Sequence, residues 1–542
     1  MNYLKFVGLI VPFCLFSVLS NGSTGEKNKV SVNKEVASEN FKIGWSMTDI
    51  TPDKPVLLSG QFHARVSEAV HDPVYATSMA LENGSGPSSE KVIMISCDLV
   101  GISDDMRDGS KNNLRDRVRG LITSSLPELK AENIIIHATH SHTAPYVSSA
   151  PDSKSIYGVE LDAMSPAECL DFISKRIAKG AEEAWKNRQP GGISYGLGHA
   201  VVARNRLQSQ LSGETIKTGS TNRPGFSHIE GFEDHTINLI YTWDNKKNLT
   251  GVVINIAADC QVTGGEFFVS ADFWYETREE LKTRLGDGVF VLPQCASAGD
   301  QGTVIMVGAR AEQRMQEMMY PMPDNIEERL RLRMGYRKKI ANQIADAVTD
   351  VYPYMADHID WDPPLVHKME RAELSRRLIS QKDVDDAVRE AEGYRKQYEE
   401  MLKELNENPS LKEKERWYRD ITRIHSYLRR GESVKERYDL EKVQPKLPVE
   451  LHVVRLGDIV IATNPFELYL DYGMRIKARS SAIQTFIVQL AGGGTYLPTE
   501  RSIAGGAYGA VPASTLLGPE GGQELVEKTL ELIYQVMPPE KR

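Results

Sequence analysis

Ile134-Ile135-Ile136-His137-Ala138-Thr139-His140-Ser141-His142-Thr143-Ala144-Pro145 is the stretch on which the reading of this chain turns. Three β-branched apolar residues in a row read as a strand buried on both faces. Three histidines then fall within six positions, where such a strand ends. In α/β sheets ligands bind beyond the carboxyl ends of strands, and imidazoles there can serve as metal ligands or as a general base. Side chains alternate along an extended chain, so His140 and His142 point the same way.

Upstream, Val92 to Cys97 is another continuous apolar run, and Asn112 to Leu126 places Leu114, Val118, Leu121 and Ile122 on one helical face. Strand, helix and strand with short links predict a βαβ unit. Downstream, Ile237–Tyr241 and Val252–Ile256 read as a hairpin around Asp244-Asn245, and Val289–Leu292 and Ile459–Ala462 as further buried strands. The expected class is α/β, mixed sheets with flanking helices. From about 367 to 445 the chain is charge-rich with two helical apolar stripes, Val384 to Leu405 and Trp417 to Leu428, broken at Asn408-Pro409. Ser410 and Glu413 have capping-box spacing for the second helix. Domain limits follow: 1–20 a leader, 21–40 a polar disordered linker, 41–366 and 446–542 one catalytic domain, and 367–445 an inserted helical hairpin.

Met1 to Lys5 is a positive start and Phe6 to Leu19 an apolar run too short for a bilayer, the pattern of a secretory signal peptide. The expected location is secreted or periplasmic, and no other run approaches a spanning segment. Among 542 residues, 65 are Lys or Arg and 74 Asp or Glu, a net charge of −9. That balance argues against a nucleic-acid partner. Cys97, Cys169, Cys260 and Cys295 show no ligand spacing and read as buried small hydrophobes.

Three other clusters follow buried strands. Asn464-Pro465-Phe466-Glu467-Leu468-Tyr469 reads as the opening of a helix with Glu467 in its first turn. Ala296-Ser297-Ala298-Gly299-Asp300-Gln301-Gly302 is a small-residue turn that permits close backbone approach. Gly492-Gly493-Gly494-Thr495-Tyr496-Leu497-Pro498-Thr499 is a glycine run before an aromatic.

Taken in order, these segments resemble the neutral/alkaline ceramidase family. Gly44-Trp45-Ser46-Met47-Thr48-Asp49-Ile50-Thr51-Pro52 is similar to the opening of its catalytic domain. His140-Ser141-His142, Ser270-Ala271-Asp272-Phe273, Ala298-Gly299-Asp300, Asn464–Gly473 and Ser514-Thr515-Leu516-Leu517-Gly518-Pro519 resemble later family segments, in the family's order. The resemblance implies a ceramidase-like catalytic domain and a zinc ion held by His140, Glu467 and Tyr496. It also implies that His142 and Asp300 are catalytic and that Asn205 and Arg206 contact substrate. Two positions depart from the family. Asp259 stands where the second zinc histidine belongs, beside Cys260, so that zinc, another divalent ion or none suits the set. Gly302 stands where the family has its nucleophilic serine. The expectation is therefore an exported, metal-dependent hydrolase using metal-activated water on a glycan, ester or amide. The alternatives are a ceramidase acting on a lipid amide and a non-catalytic binding protein on the same scaffold.

Overall fold

In the computed structural model, residues 39–539 are described. The expected leader and most of the expected linker lie outside them. Eight strands form the larger sheet: β1 Phe41–Asp49, β2 Tyr75–Asn83, β3 Glu90–Cys97, β4 Ile134–Ala138, β5 Gln189–His199, β6 Thr236–Asp244, β7 Leu249–Ile256 and β8 Phe290–Cys295. Their order is β8-β7-β6-β5-β1-β2-β3-β4, with β3/β4 and β7/β8 parallel and the other neighbours antiparallel. Four further strands, β9 Leu365–Ser375, β10 Lys446–Leu456, β11 Ile459–Thr463 and β12 Gln484–Val488, form a second sheet in that order.

The two halves of the larger sheet are hinged at a short seam, where β1 meets β5 only at Lys42↔Pro190 and Ile43↔Gln189. The halves fold toward each other: Ser96 Oγ on β3 donates to the Pro293 carbonyl on β8 at 2.6 Å, although five strands separate the two in the sheet. One apolar core joins Trp45, Met79, Met94 and Ile135 of one half, Ile193, Ile240, Val253 and Leu292 of the other, and Val454, Ile461, Phe486 and Val488 of the second sheet. Alternation decides which residues enter it. Met94 faces this core, while Ile93 and Ile95 face helices α1 (Leu114–Ser125) and α2 (Pro166–Lys186). Ile461 faces inward, while Val460 and Ala462 pack under α8. That helix spans Pro519–Val536. Both faces of these strands are covered, which is why they read as unbroken apolar runs. Truncating Phe486 in this core would cost about 3–5 kcal/mol. Further helices include α3 Phe273–Leu285, α4 Glu328–Met355, α5 Gln381–Glu407, α6 Arg419–Val443 and α7 Leu470–Arg479.

The helical hairpin exists, with corrected limits. Residues 367–375, expected inside it, belong to β9, which pairs with β10 from Leu365↔Leu456 to Ser375↔Lys446. Their charges mark an edge strand, whose solvent side is polar. The hairpin proper is α5 and α6; Ser380 and Asp383 form the capping box of α5. The box expected at Ser410 does not form. Pro409–Glu413 is a 3-10 turn and α6 starts at Arg419, leaving Trp417 before the helix. Among the described residues no helix is long and apolar enough to cross a membrane. All four cysteines there are buried and unpaired, as expected.

Candidate active site

Because the larger sheet folds over, the carboxyl ends of β4, β7, β8, β11 and β12 meet in one place. The His142 amide donates to the Cys260 carbonyl just beyond β7. The Gln489 amide, beyond β12, donates to the Cys295 carbonyl of β8 at 3.0 Å. The Gln489 side chain then accepts from the Ala298 and Leu468 amides, both at 3.0 Å, tying three of the strand ends together.

The histidine segment behaves as its alternation predicts. Ser141 and Thr143 turn inward and donate to the Ser270 carbonyl at 2.8 and 3.1 Å. His140 and His142 turn to the site, with Nε2 atoms 3.3 Å apart. His140 has φ +67°, a strained conformation for a residue with a side chain, held because Thr139 N and Ser141 N donate to Cys97 and Leu99. Its Nδ1 lies 2.6 Å from the Val100 carbonyl, which only accepts; Nδ1 therefore carries hydrogen, and Nε2 faces Glu467 Oε2 at 3.6 Å. That carboxylate oxygen is buried and has no hydrogen-bond partner. Burial, then His140 and Arg65, pushes the His142 pKa well below its ordinary value, so the ring is neutral.

Glu467 does not open a helix, contrary to the sequence reading. It lies in a two-residue strand paired in register with Tyr496, and α7 begins only at Leu470. Gly299 explains the close fit: a Cβ there would overlap the Glu467 carbonyl.

Arg206 occupies the centre. Its guanidinium, 4% exposed, is 3.3 Å from Asp259 Oδ2 and donates to the Gly299 carbonyl at 2.9 Å and to Tyr496 Oη at 3.3 Å. Asp259, 1% exposed, also accepts from the Gln261 amide at 2.9 Å, and its pKa is raised by burial. Tyr496 is pushed well above the usual phenol range by burial and then by Glu467, so it keeps its proton.

Two expected site residues are scaffold instead. Asp300 accepts from the Asn205 amide at 2.8 Å and from the Leu470 backbone at 2.9 Å, so both its oxygens are occupied; burial raises its pKa to about 6. The remaining side-chain oxygen of Asn205 accepts from the Leu207 amide. Together they fasten the turn that aims Arg206. Asp272, from the third resembling segment, caps α3 and accepts from Thr263.

The expected zinc set meets Arg206 in this arrangement. Asp259 and Tyr496 both hold the guanidinium of Arg206, so a cation already stands between two of the four proposed ligands. Among the described residues no group of three or more His, Cys, Asp or Glu side chains could hold a metal ion. His140, Asp259, Glu467 and Tyr496 do not fit a four-ligand cage in this arrangement.

Lys217 and Tyr508 complete the wall. The Lys217 ammonium lies 4.3 Å from the centre of the Tyr508 ring, which stands 5.8 Å from the Tyr496 ring. Burial and Arg206 push Lys217 down to about 8. No motif marks either residue, and only the folded chain reveals them. A cleft of about 430 Å³ leads in from solvent past Asp104, Arg107, Tyr146 and Gly492–Gly494 to His140 and Glu467.

No family model matches the sequence, and no curated protein does. Similar solved structures include two ceramidases. One is neutral ceramidase from Pseudomonas aeruginosa, at a TM-score of 0.63 and 14% identity, covering 93% of this chain and 76% of that one. The other is a ceramidase complexed with C2, at a TM-score of 0.62 and 13% identity, covering 93% of this chain and 77% of that one. The chain has their fold.

Proposed function

We propose that this chain is a hydrolase that adds water to the carbonyl of an amide or ester. The observation that carries the reading is the row His142 Nε2, His140 Nε2 and Glu467 Oε2, with steps of 3.3 and 3.6 Å, beside the buried Arg206. Neutral His142 takes the proton of an attacking water. His140, anchored through Nδ1, and Glu467 stabilise the imidazolium that forms. Arg206 and the protonated Tyr496 face the negative charge that develops on the carbonyl oxygen. A side-chain nucleophile finds no support. Gly302 has none, and the Ser297 hydroxyl is buried against Gly473 with no partner. The fold shared with two ceramidases supports the hydrolase class; ceramide-like amides are one member of the substrate range and other amides and esters the rest.

A divalent ion at the His140–Glu467 end is the second reading, favoured by the unpartnered Glu467 oxygen. Export rests on the leader in residues 1–20, outside the described residues; N-terminal sequencing that returned Met1 from exported protein would overturn it. The deciding experiment is a hydrolysis screen over ceramides, N-acyl amino acids, esters and glycosides with wild-type and His142→Ala protein, alongside metal content by mass spectrometry. His142→Ala should lose about 10²–10⁴-fold in kcat. Turnover unchanged within about threefold in a folded variant would exclude the base and, with it, this reading.

A further inference from the structure

The hydrolase reading leaves several arginines unused. In a chain of net charge −9, cations gather on one side of the site. Arg430, from α6 of the hairpin, lies 5.2 Å from the Tyr508 ring centre, and Lys217 lies 4.3 Å from the same centre. Arg437, about two turns further along α6, faces Arg107 and Arg430, and burial followed by these two charges pushes it down to about 10. Arg107 lines the cleft that reaches His140 and Glu467.

Their partners are carbonyls rather than acids. Arg437 donates to Pro512 O and Thr515 O at 2.9 and 3.1 Å, and Arg107 to Gly493 O and Gly494 O at 2.7 and 3.0 Å. Arg430 donates to Ala513 O and Ser514 Oγ. Among the described residues none of Lys217, Arg430, Arg437 and Arg107 has a carboxylate oxygen within the 4.0 Å of an ion pair, although 47 such pairs occur elsewhere in the same structure. Carbonyls orient the three arginines; Asp104, Asp108 and Glu467 face Arg107 without forming an ion pair with it. Asp259 and Glu467 face Lys217 from the site side, but Asp259 is engaged by Arg206. Lys217, Arg430 and Arg437 are half-buried, so their like charges destabilise one another, and an anion placed among them removes that cost.

We propose that the mouth of the site binds an anionic group of the substrate, a carboxylate, sulfate or phosphate, between Lys217 and Arg430 at the Tyr508 ring. The hairpin then has a role: it supplies Arg430 and Arg437 to the substrate side of a site whose reacting groups all come from the sheets. This deepens the hydrolase reading and rests on it only in calling the ligand a substrate. Guanidinium groups suit such anions because their fork matches two oxygens at once.

The test is isothermal titration of the full chain at low salt with matched probes: N-octanoylglycine against its primary amide, a uronic acid against the parent sugar, and a sugar sulfate and a sugar phosphate against the free sugar. At least one anionic probe should bind about tenfold or more tighter than its neutral partner, a preference that salt weakens. Which pair shows it identifies the anion. Lys217→Met with Arg430→Met should erase the preference, and Lys396→Met, on the exposed side of the hairpin, should keep it. Equal binding within every pair, no binding of any anionic probe at millimolar concentration, or a preference that survives in a double variant with wild-type circular dichroism would overturn the inference. Anion-selective binding with no turnover of any probe supports it and counts against the hydrolase reading alone.

Discussion

Replacing Arg206 by Met separates a site held by a guanidinium from one held by a metal. Asp259 and Arg206 are 1% and 4% exposed and 3.3 Å apart. Removing one member of such a buried pair costs about 3–5 kcal/mol, because the other charge stays behind uncompensated. The Gln261 amide and the Cys295 thiol still touch Asp259, but neither carries charge. The pH dependence has a definite sign. Burial already raises the Asp259 pKa, and Arg206 is one of the groups that opposes the rise. Without Arg206 the folded carboxyl binds its proton more tightly still, while the unfolded one keeps a pKa of about 3.9. A raised folded pKa gives stability that is present below the unfolded pKa and lost as pH climbs through the folded one. The deficit of Arg206→Met should therefore be small near pH 5 and reach its full size near pH 8. Urea unfolding at both values, with and without a chelator, measures it. A deficit below about 1 kcal/mol near pH 8, or one equal at both pH values, would refute the pairing. A wild-type midpoint that drops on chelation, together with no deficit of Arg206→Met near pH 8, would show that a metal, not Arg206, neutralises Asp259.

Four more outcomes are expected. Ser297→Ala should keep turnover within a few fold and leave stability equal or raised by about 1 kcal/mol, since it deletes a buried hydroxyl with no partner; abolished turnover in a folded variant would instead indicate a serine nucleophile. Gly473→Ala should lower the unfolding free energy by about 1–3 kcal/mol, because its Cβ would overlap Ser297 Oγ; pairing it with Ser297→Ala should recover part of the loss, and strict additivity would disprove the contact. For an anionic substrate kcat/KM should fall as pH rises through about 8, where the Lys217 ammonium discharges, while a neutral analogue shows no such limb; identical profiles for both would disconnect Lys217 from binding. Brief trypsin treatment should cut the exposed turn at Lys412 or Lys414 and spare α5 and α6; rapid cleavage throughout 381–443 would mean that the two helices do not pack.

Much of the layered plan was legible because burial on both faces writes unbroken apolar runs. Ile134–Ile136, Val92–Cys97 and Ile459–Ala462 became strands near the expected limits. The hairpin was legible from its 3.6-residue stripes, though β9 was not, since an edge strand with alternating charge resembles an amphipathic helix when read alone. Glu467 was misplaced for a related reason. Its two-residue pairing with Tyr496 is non-local, and no local pattern announces it.

What the sequence determined by itself was the set of strand-end clusters from which reacting groups come, because an unbroken apolar run and the polar residues that end it are a local pattern. What only the tertiary structure decided was which of those groups meet, and as what. Strands β4 and β7 lie far apart in the sheet order, and their ends come together only because the β1–β5 seam is two residue pairs long and lets the halves close. That closure sends Arg206 between Asp259 and Tyr496, turns Asp300 and Asn205 into fasteners, and brings Lys217 and Arg430 to one ring across more than two hundred residues of chain. Charge and coordination depend on distances of a few ångströms between remote segments, and a linear pattern carries no record of them.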